Sequence, residues 1–290
     1  PPRQEAHMPE MDATPIELNT KVAHPARMYD YCLGGKDNFA VDREAVRIFV
    51  ERFPEGLDSA RENRLFLYRV VRFLSREAGI RQFLDMGSGL PTQANVHQVA
   101  QRFQPDAHVV YVDNDPIVLV HGRALLAEDA TTVIQADMTD PQDILARPEV
   151  RDLIDFDQPV AALFLSVPHS IPDDQQARDM FAAIVDALVP GSFLAASQFI
   201  GVHEEAARAH TQTANELGLV WKTRTVDGFQ DLIAGLGLEP VPPGLVDVCD
   251  WRPDPHQPPL HPVDETLQPY IGWTAGDKLV KEFGGVLHKL

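Results

Sequence analysis

The sequence predicts an α/β domain with helices on both faces of a mostly parallel sheet. Residues 82–85 form an apolar strand that runs directly into the glycine turn of residues 86–89. Apolar segments at 108–112 and 131–136 follow, and an aspartate comes directly after each of them. Strand segments that alternate with helical segments are typical of a doubly wound sheet, whose parallel strands bring their carboxyl ends to one edge.

The glycine turn predicts a ligand-binding corner. Gly87 and Gly89 allow the chain to turn tightly, and the peptide N–H groups of the turn, that of Ser88 included, are expected to face a ligand. Asp85 leaves the first strand beside this turn. Asp113, at the end of the second strand, is placed to accept both hydroxyl groups of a ribose. The corner therefore predicts a nucleoside ligand.

The ends of the second and third strands leave alternatives open. Asn114 is a candidate for binding the ligand beside Asp113. Together with Asp115 it can also cap the next helix, which is predicted over residues 117–128. Asp137 lies where it can reach the exocyclic amine of an adenine, with Met138 covering the base. Equally, Asp137 can belong to the cap of the helix that follows it.

The composition limits the partners of the chain. Its 290 residues can bury one α/β core, and the formal net charge of −18 disfavours binding to nucleic acid or anionic membranes. The two cysteines, Cys32 and Cys249, provide no disulfide framework and no multi-cysteine metal site. His256 and His261 lack the helical spacing of a metal motif, so no metal is predicted. Because apolar runs of 18 or more residues and a signal peptide are absent, we expect a soluble, cytoplasmic protein.

The N-terminal part is predicted to be a flexible arm over residues 1–20, followed by one domain over 21–290. The first part of this domain, residues 21–57, contains two helical pieces that Gly34 and Gly35 interrupt. These pieces either form a hairpin that caps the sheet or form a lid over a cofactor. The lid residues would be Arg27, Tyr31 and Asn38.

The rest of the chain continues the alternation of strands and helices. A helix is predicted over 58–79, and its charged segment 61–64 is expected to face solvent, with contact to a ligand as the alternative. The fourth strand, 160–167, is apolar throughout and is expected to be buried on both faces. The loop after this strand contains His169, which is either a functional residue or one that orients the loop or caps a helix. Further helices are predicted over 93–102, 175–189, 204–217 and 227–236, and further strands over 193–198, 244–249 and 283–289.

The two successive helices after the fifth strand break the alternation, so one of them is predicted to be an insertion above the strand ends. Inserted helices at this position commonly build a substrate pocket. Phe199, His203, His210 and Trp221 are the candidate pocket residues.

Several segments together resemble a known family. They are Pro-Ala-Arg-Met-Tyr-Asp-Tyr at 25–31, Leu-Gly-Gly-Lys-Asp-Asn at 33–38, Asp-Met-Gly-Ser-Gly-Leu-Pro-Thr at 85–92, Tyr-Val-Asp-Asn-Asp-Pro at 111–116 and Trp-Arg-Pro at 251–253. On these segments the chain, from about residue 20 to its end, resembles the bacterial, chiefly actinomycete, S-adenosylmethionine-dependent methyltransferases that were long classed as a domain of unknown function.

The resemblance implies a class I methyltransferase fold, with seven strands of which the last is antiparallel. It also implies S-adenosylmethionine as the cofactor and assigns parts of that molecule to residues. The assignments are Asp85, Gly87 and Gly89 for the methionine end, Asp113 for the ribose, Asp137 and Met138 for the adenine, and Ser166 for the sulfonium side.

The implied reaction is methyl transfer to an oxygen, nitrogen or carbon atom of a small-molecule acceptor. Aligning the acceptor with the methyl group can provide most of the catalysis. If the acceptor must lose a proton, His169 is the first candidate base and Tyr29 the second. The sequence leaves the oligomeric state open.

Two other functions compete with this one. A protein that binds S-adenosylmethionine or S-adenosylhomocysteine without catalysis would have the same sequence features. A nicotinamide-dependent oxidoreductase is disfavoured, because Thr92 occupies the third glycine position of G-x-G-x-x-G and the chain contains no Tyr-x-x-x-Lys.

Overall fold

A computed structural model describes residues 20–91, 94–125, 130–273 and 278–290 of the chain. Except for Thr20, the predicted N-terminal arm lies outside the described residues. The same is true of Thr92 and of the last residues of the helix predicted over 117–128. No helix in these described ranges is long and apolar enough to cross a membrane.

One mixed sheet forms the centre of the fold, and its order is β3-β2-β1-β4-β5-β8-β6. Strands β1 to β5 are parallel where they pair, whereas β8 runs antiparallel to β5. The mostly parallel sheet with an antiparallel last strand is therefore confirmed. The strands of the described residues are β1 Gln82–Met86, β2 His108–Asp113, β3 Thr131–Gln135, β4 Ala161–Leu165, β5 Phe193–Gly201, β6 Leu238–Pro240, β7 Val246–Asp247 and β8 Val280–Lys289.

The prediction of a sixth strand over 244–249 is wrong. Strand β6 lies earlier, at Leu238–Pro240, and only the two residues of β7 within 244–249 pair with β8. The side chain of Asp247 accepts a hydrogen bond from the Cys249 N–H and starts a 3₁₀ turn, which ends β7. Strand β6 has no apolar run because it is a short, mostly exposed edge strand.

From β1 to β5 the strands are separated by helices, with two short helices after β3, and two further helices follow β5. The α-helices of the described residues are α1 Pro25–Cys32, α2 Ala40–Arg52, α3 Gly56–Arg76, α4 Val96–Ala100, α5 Pro116–Leu125, α6 Pro141–Ala146, α7 Pro148–Arg151, α8 Asp174–Ala187, α9 Glu204–Glu216 and α10 Val226–Ile233. The predicted N-terminal pair is present as α1 and α2. Between them, the Asp30 carboxylate fills the space beside Gly35, where an added Cβ would lie 1.9 Å from one of its oxygens.

Two apolar layers cover the sheet. Alternate strand residues point to opposite faces, so Phe83 packs against α3 and α4 whereas Leu84 packs toward α8 and α10. A third apolar cluster joins α1, α2 and α9 to the end of β5 and includes Phe199. Strand β5 continues four residues beyond Ser197, the partner of the last residue of β4. This extension holds α9 and the N-terminal helices above the carboxyl edge of the sheet.

Candidate functional site

A cavity of about 270 Å³ lies between the strand exits and the N-terminal helices. Its wall is formed by the glycine turn, the strand ends and helices α1, α2, α3 and α9. Ten of the predicted site residues line it: Tyr29, Asp85, Gly87, Ser88, Gly89, Asp113, Asn114, Met138, Ser166 and His169. The carboxyl edge of the sheet thus brings together most of the residues that the sequence indicated.

The N–H groups of the glycine turn are not free, because they donate hydrogen bonds to strand β2. The N–H groups of Gly87 and Ser88 donate to the carbonyl oxygen of Val112 at 2.8 and 3.0 Å, and that of Gly89 donates to the Asp113 carboxylate at 2.8 Å. The expectation that these N–H groups face a ligand is wrong for this structure. Position 87 requires a glycine for two reasons. Its φ is +72°, and an added Cβ would lie 2.7 Å from the Val167 side chain.

Asp113, at the end of β2, has a carboxylate that is placed to bind two neighbouring hydroxyl groups. It is 7 % exposed, and its two carboxylate oxygens accept one N–H each, from Asp115 at 2.9 Å and from Gly89 at 2.8 Å. Burial raises the pKa of this carboxyl, and the two N–H groups oppose the rise. Each oxygen can accept a further hydrogen bond, so the carboxylate can take both hydroxyl groups of a ribose.

Asp85 faces the guanidinium group of Arg64, a residue that was expected to face solvent. Burial raises the pKa of Asp85 to about 7, and the Arg64 guanidinium on α3 opposes this rise. The prediction that segment 61–64 faces solvent is wrong for Asn63 and Arg64, which are 2 % and 8 % exposed and line the cavity. The missed signal is helical spacing. The lining residues of α3 recur every three or four positions: Gly56, Leu57, Ala60, Asn63, Arg64 and Leu67.

A polar chain of hydrogen bonds runs from β4 to α1 through the wall of the cavity. The Ser166 N–H donates to the Ser197 hydroxyl at 2.9 Å, and that hydroxyl donates to the Asn63 amide oxygen at 2.7 Å. The Asn63 amide N–H donates to the Tyr29 hydroxyl at 3.1 Å. Burial raises the pKa of Tyr29, so its hydroxyl keeps its hydrogen and can donate it into the cavity.

His169 is a neutral, stacked side chain. It is 2 % exposed, and its ring lies on Trp221 with 3.7 Å between the ring centroids. Burial, followed by the charges of His210 and Arg224, holds its pKa well below the ordinary value. Its Nδ1 accepts the Phe199 N–H at 3.4 Å, which assigns the ring hydrogen to Nε2. This arrangement makes Nε2 a hydrogen-bond donor.

One part of the cavity is an aromatic chamber, lined by Phe49, Phe53, Phe199, His210 and Trp221. The His210 ring stacks on Phe199 with an interplanar angle of 18°, and burial lowers the pKa of His210 to about 3. Three of the four predicted pocket residues therefore meet here. The fourth, His203, accepts the Ala206 N–H at 3.1 Å and caps α9. Helix α9, which carries His210, is the inserted helix that the sequence predicted.

The remaining predicted site residues do not line the cavity, and their polar groups bond within the described chain. Arg27 bonds to Asp42 at 3.2 Å, Tyr31 to Thr266 at 2.9 Å and Asn38 to Asp30 at 2.8 Å. Asp137 accepts the N–H and hydroxyl of Thr139 at 2.9 and 2.8 Å, just before α6. Asp137 therefore bonds within the turn before α6, whose N-cap residue is Asp140.

A sheet of this order, with an acid at the exit of β2 and a cavity along the carboxyl ends of the strands, is the arrangement of the class I methyltransferase type of α/β protein. The chain belongs to the S-adenosyl methyltransferase family, whose model matches residues 11–279. The resemblance seen in the sequence is thereby confirmed, and the protein is an S-adenosylmethionine-dependent methyltransferase.

Solved structures agree with the family. The chain is 39 % identical to a protein from Thermobifida fusca YX, covering 96 % of this chain and 99 % of that one with a TM-score of 0.80. It is 36 % identical to a DUF574 family protein from Streptomyces avermitilis MA-4680, covering 93 % and 99 % with a TM-score of 0.80. A geranyl diphosphate methyltransferase solved with S-adenosylmethionine shares the fold alone, at 14 % identity and a TM-score of 0.50 over 81 % of this chain and 87 % of that one. No curated protein matches the chain.

Proposed function

We propose that this methyltransferase transfers a methyl group to an oxygen, nitrogen or carbon atom of a small, uncharged and largely apolar acceptor. The observation that carries the proposal is the continuity of one cavity, which joins the acidic strand exits to the aromatic chamber. The strand exits offer polar groups for a nucleoside cofactor, and the chamber offers apolar surface for a second molecule.

The cofactor half of the cavity suits S-adenosylmethionine. Asp113 would accept the ribose hydroxyls, Met138 would cover the adenine, and Asp85 with Arg64 would bind the amino and carboxylate groups of the methionine end. Gly87, Ser88, Gly89 and Asn114 would form the wall around them. Ser166 would lie at the sulfonium side. Arg27, Tyr31, Asn38 and Asp137 would act indirectly, by holding the lid helices and the turn before α6 in place.

The chemistry of the chamber supports an uncharged acceptor. His169 and His210 are neutral because burial lowers their pKa values, and Tyr29 is neutral because burial raises its own. A charged acceptor that packs against these neutral rings would lose its hydration without gaining a charged partner from them. Flat apolar molecules instead gain contact with the rings of Phe199 and Trp221.

The residues of this chain would work mainly by alignment and by excluding water. When bound, S-adenosylmethionine supplies an already activated methyl group, so a strong base is not needed for every acceptor. The Tyr29 hydroxyl and the Nε2–H of His169 would orient the acceptor through hydrogen bonds. This geometry supports a donor role for His169 over the base role that the sequence suggested.

Asp113→Ala tests the cofactor half of the proposal. Losing two hydrogen bonds to a carboxylate is expected to weaken binding of S-adenosylmethionine by about 10- to 100-fold, or about 1.5–3 kcal/mol. Isothermal titration calorimetry measures this change. Asp186→Ala, at an exposed carboxylate of α8 outside the cavity, is the matched control and is expected to bind as the wild type does. Equal affinities in the two variants would remove Asp113 from the cofactor site.

The acceptor half is tested with a labelled methyl group. Incubating the protein with methyl-labelled S-adenosylmethionine and a cell extract is expected to place label in a small, organic-soluble product. Label found in protein or nucleic acid would contradict the proposed acceptor class. Tight cofactor binding without any labelled product would favour a binding protein that lacks catalysis.

A further inference from the structure

Glu282 on β8 is a buried carboxyl group whose role the proposed function does not explain. It is 1 % exposed, and neither of its carboxyl oxygens has a hydrogen bond of good geometry within the described part of the chain, although the Ser197 and Ser166 side chains lie close enough to lower its pKa. A carboxylate buried in this way without a partner would be strongly destabilising. The group is therefore protonated in the unliganded protein, which agrees with a pKa that burial raises to about 8.

The position of Glu282 is next to the wall of the cavity. In the β5–β8 pairing Glu282 lies directly opposite Phe199, which lines the aromatic chamber. Directly opposed residues share one face of a sheet, so Glu282 lies on the cavity side. The Ser197 and Ser166 hydroxyls both lower the pKa of Glu282, and Ser166 lies on the cavity wall where β4 ends. Glu282 in turn raises the pKa of Tyr29, another residue of the wall.

No cation in the described residues balances a charge on Glu282. Asp247 on β7 raises its pKa further, and the nearby Lys278 is already paired with Asp247 at 2.6 Å. On the other elements packed against this region, the Arg64 guanidinium acts on Asp85 and Tyr29, and His210 on α9 is neutral. The carboxyl group is thus poised for a cation that comes from outside the chain.

We infer that Glu282 is the counter-charge of the cofactor's sulfonium group, which makes it the residue that distinguishes S-adenosylmethionine from S-adenosylhomocysteine. The inference rests on the proposed function, in which Ser166 lies at the sulfonium side. Binding of the cationic cofactor converts the Glu282 carboxylic acid to a carboxylate, and its proton passes to solvent. Binding of the neutral thioether product leaves the acid protonated, so the product is held less tightly and can leave.

Proton release on binding tests this inference directly. Calorimetry at pH 7, in buffers that differ in ionisation enthalpy, is expected to show about one more proton released by S-adenosylmethionine than by S-adenosylhomocysteine. The two ligands share the adenine, the ribose and the amino-acid groups. Protons exchanged at Asp85 or Asp113 therefore cancel in the difference, which reports the sulfonium alone.

The variant Glu282→Gln is expected to abolish this difference and to lower the affinity ratio of the cationic over the neutral ligand about tenfold or more. Glu239→Gln on the exposed strand β6 is the matched control and should retain both. If both ligands bind the wild type with equal proton release, the inference is overturned while the proposed function stands. If neither ligand binds, the proposed function fails and the inference with it.

Discussion

Replacing Glu282 with glutamine is expected to make the unliganded protein more stable, by an amount that grows with pH. Burial raises the pKa of Glu282 from 4.5 to about 8 in the folded protein. Between these values the unfolded chain has lost the proton whereas the folded chain keeps it. The folded state therefore loses stability as the pH rises through this window, and a glutamine does not.

The magnitude follows from the two pKa values. At about 2.5 pH units above the unfolded pKa of 4.5, that is at pH 7, the unfolded chain has lost this proton whereas the folded protein keeps it. The difference lowers the free energy of unfolding by about 3 kcal/mol. At pH 5 the same calculation gives about 1 kcal/mol. The glutamine amide introduces its own unpaired polar atoms, but their effect is independent of pH. The gain of Glu282→Gln over wild type should therefore rise by about 2 kcal/mol between pH 5 and pH 7.

Urea denaturation of both proteins at pH 5, 6, 7 and 8 measures this gain as a difference in the free energy of unfolding. Glu239→Gln, at an exposed position, should stay within about 0.5 kcal/mol of wild type at every pH. A gain for Glu282→Gln that is the same at all four pH values would refute the reasoning, because it would mean that the folded protein does not hold this proton.

Two further predictions concern the glycine turn and the polar chain. Gly87→Ala and Gly79→Ala place the same side chain at the same φ of +72°, but only at position 87 does the new Cβ meet a neighbour, Val167 at 2.7 Å. Both should lose about 1–2 kcal/mol of stability from backbone strain, and only Gly87→Ala should also weaken binding of S-adenosylmethionine in calorimetry. Asn63→Ala leaves two buried hydroxyl groups without their partner and should cost about 2 kcal/mol or more in urea denaturation. Asn215→Ala, at an exposed position of α9, should change stability by less than about 0.5 kcal/mol, and equal effects in the two asparagine variants would contradict the role of the polar chain.

The central strands could be predicted because their burial is complete and local. Strands β1, β2 and β4 are apolar runs buried on both faces, and each is followed by a turn signal that the sequence shows directly. Strand β6 could not be found in this way. It is a three-residue edge strand whose place is fixed by pairing with β8, far along the chain. Such pairing leaves no periodic pattern in the strand itself.

The cofactor side of the site was more predictable than the acceptor side for a similar reason. Asp85 and Asp113 follow their strands directly, so the sheet alone places them at one edge. Asn63 and Glu282 come from elements whose sequences look ordinary. Only tertiary packing brings Asn63 to the cavity wall and Glu282 to a position next to it. Arg27 and Asn38 are conspicuous polar residues of the N-terminal motif, and their side chains form hydrogen bonds within that motif.

A crystal structure of the protein with S-adenosylhomocysteine tests the central claim most directly. The account predicts density for the ligand along the strand exits, with both ribose hydroxyls within hydrogen-bond distance of the Asp113 carboxylate. It also predicts the sulfur atom beside Ser166, facing the aromatic chamber. A ligand bound elsewhere, or one whose sulfur faces away from the chamber, would contradict the account.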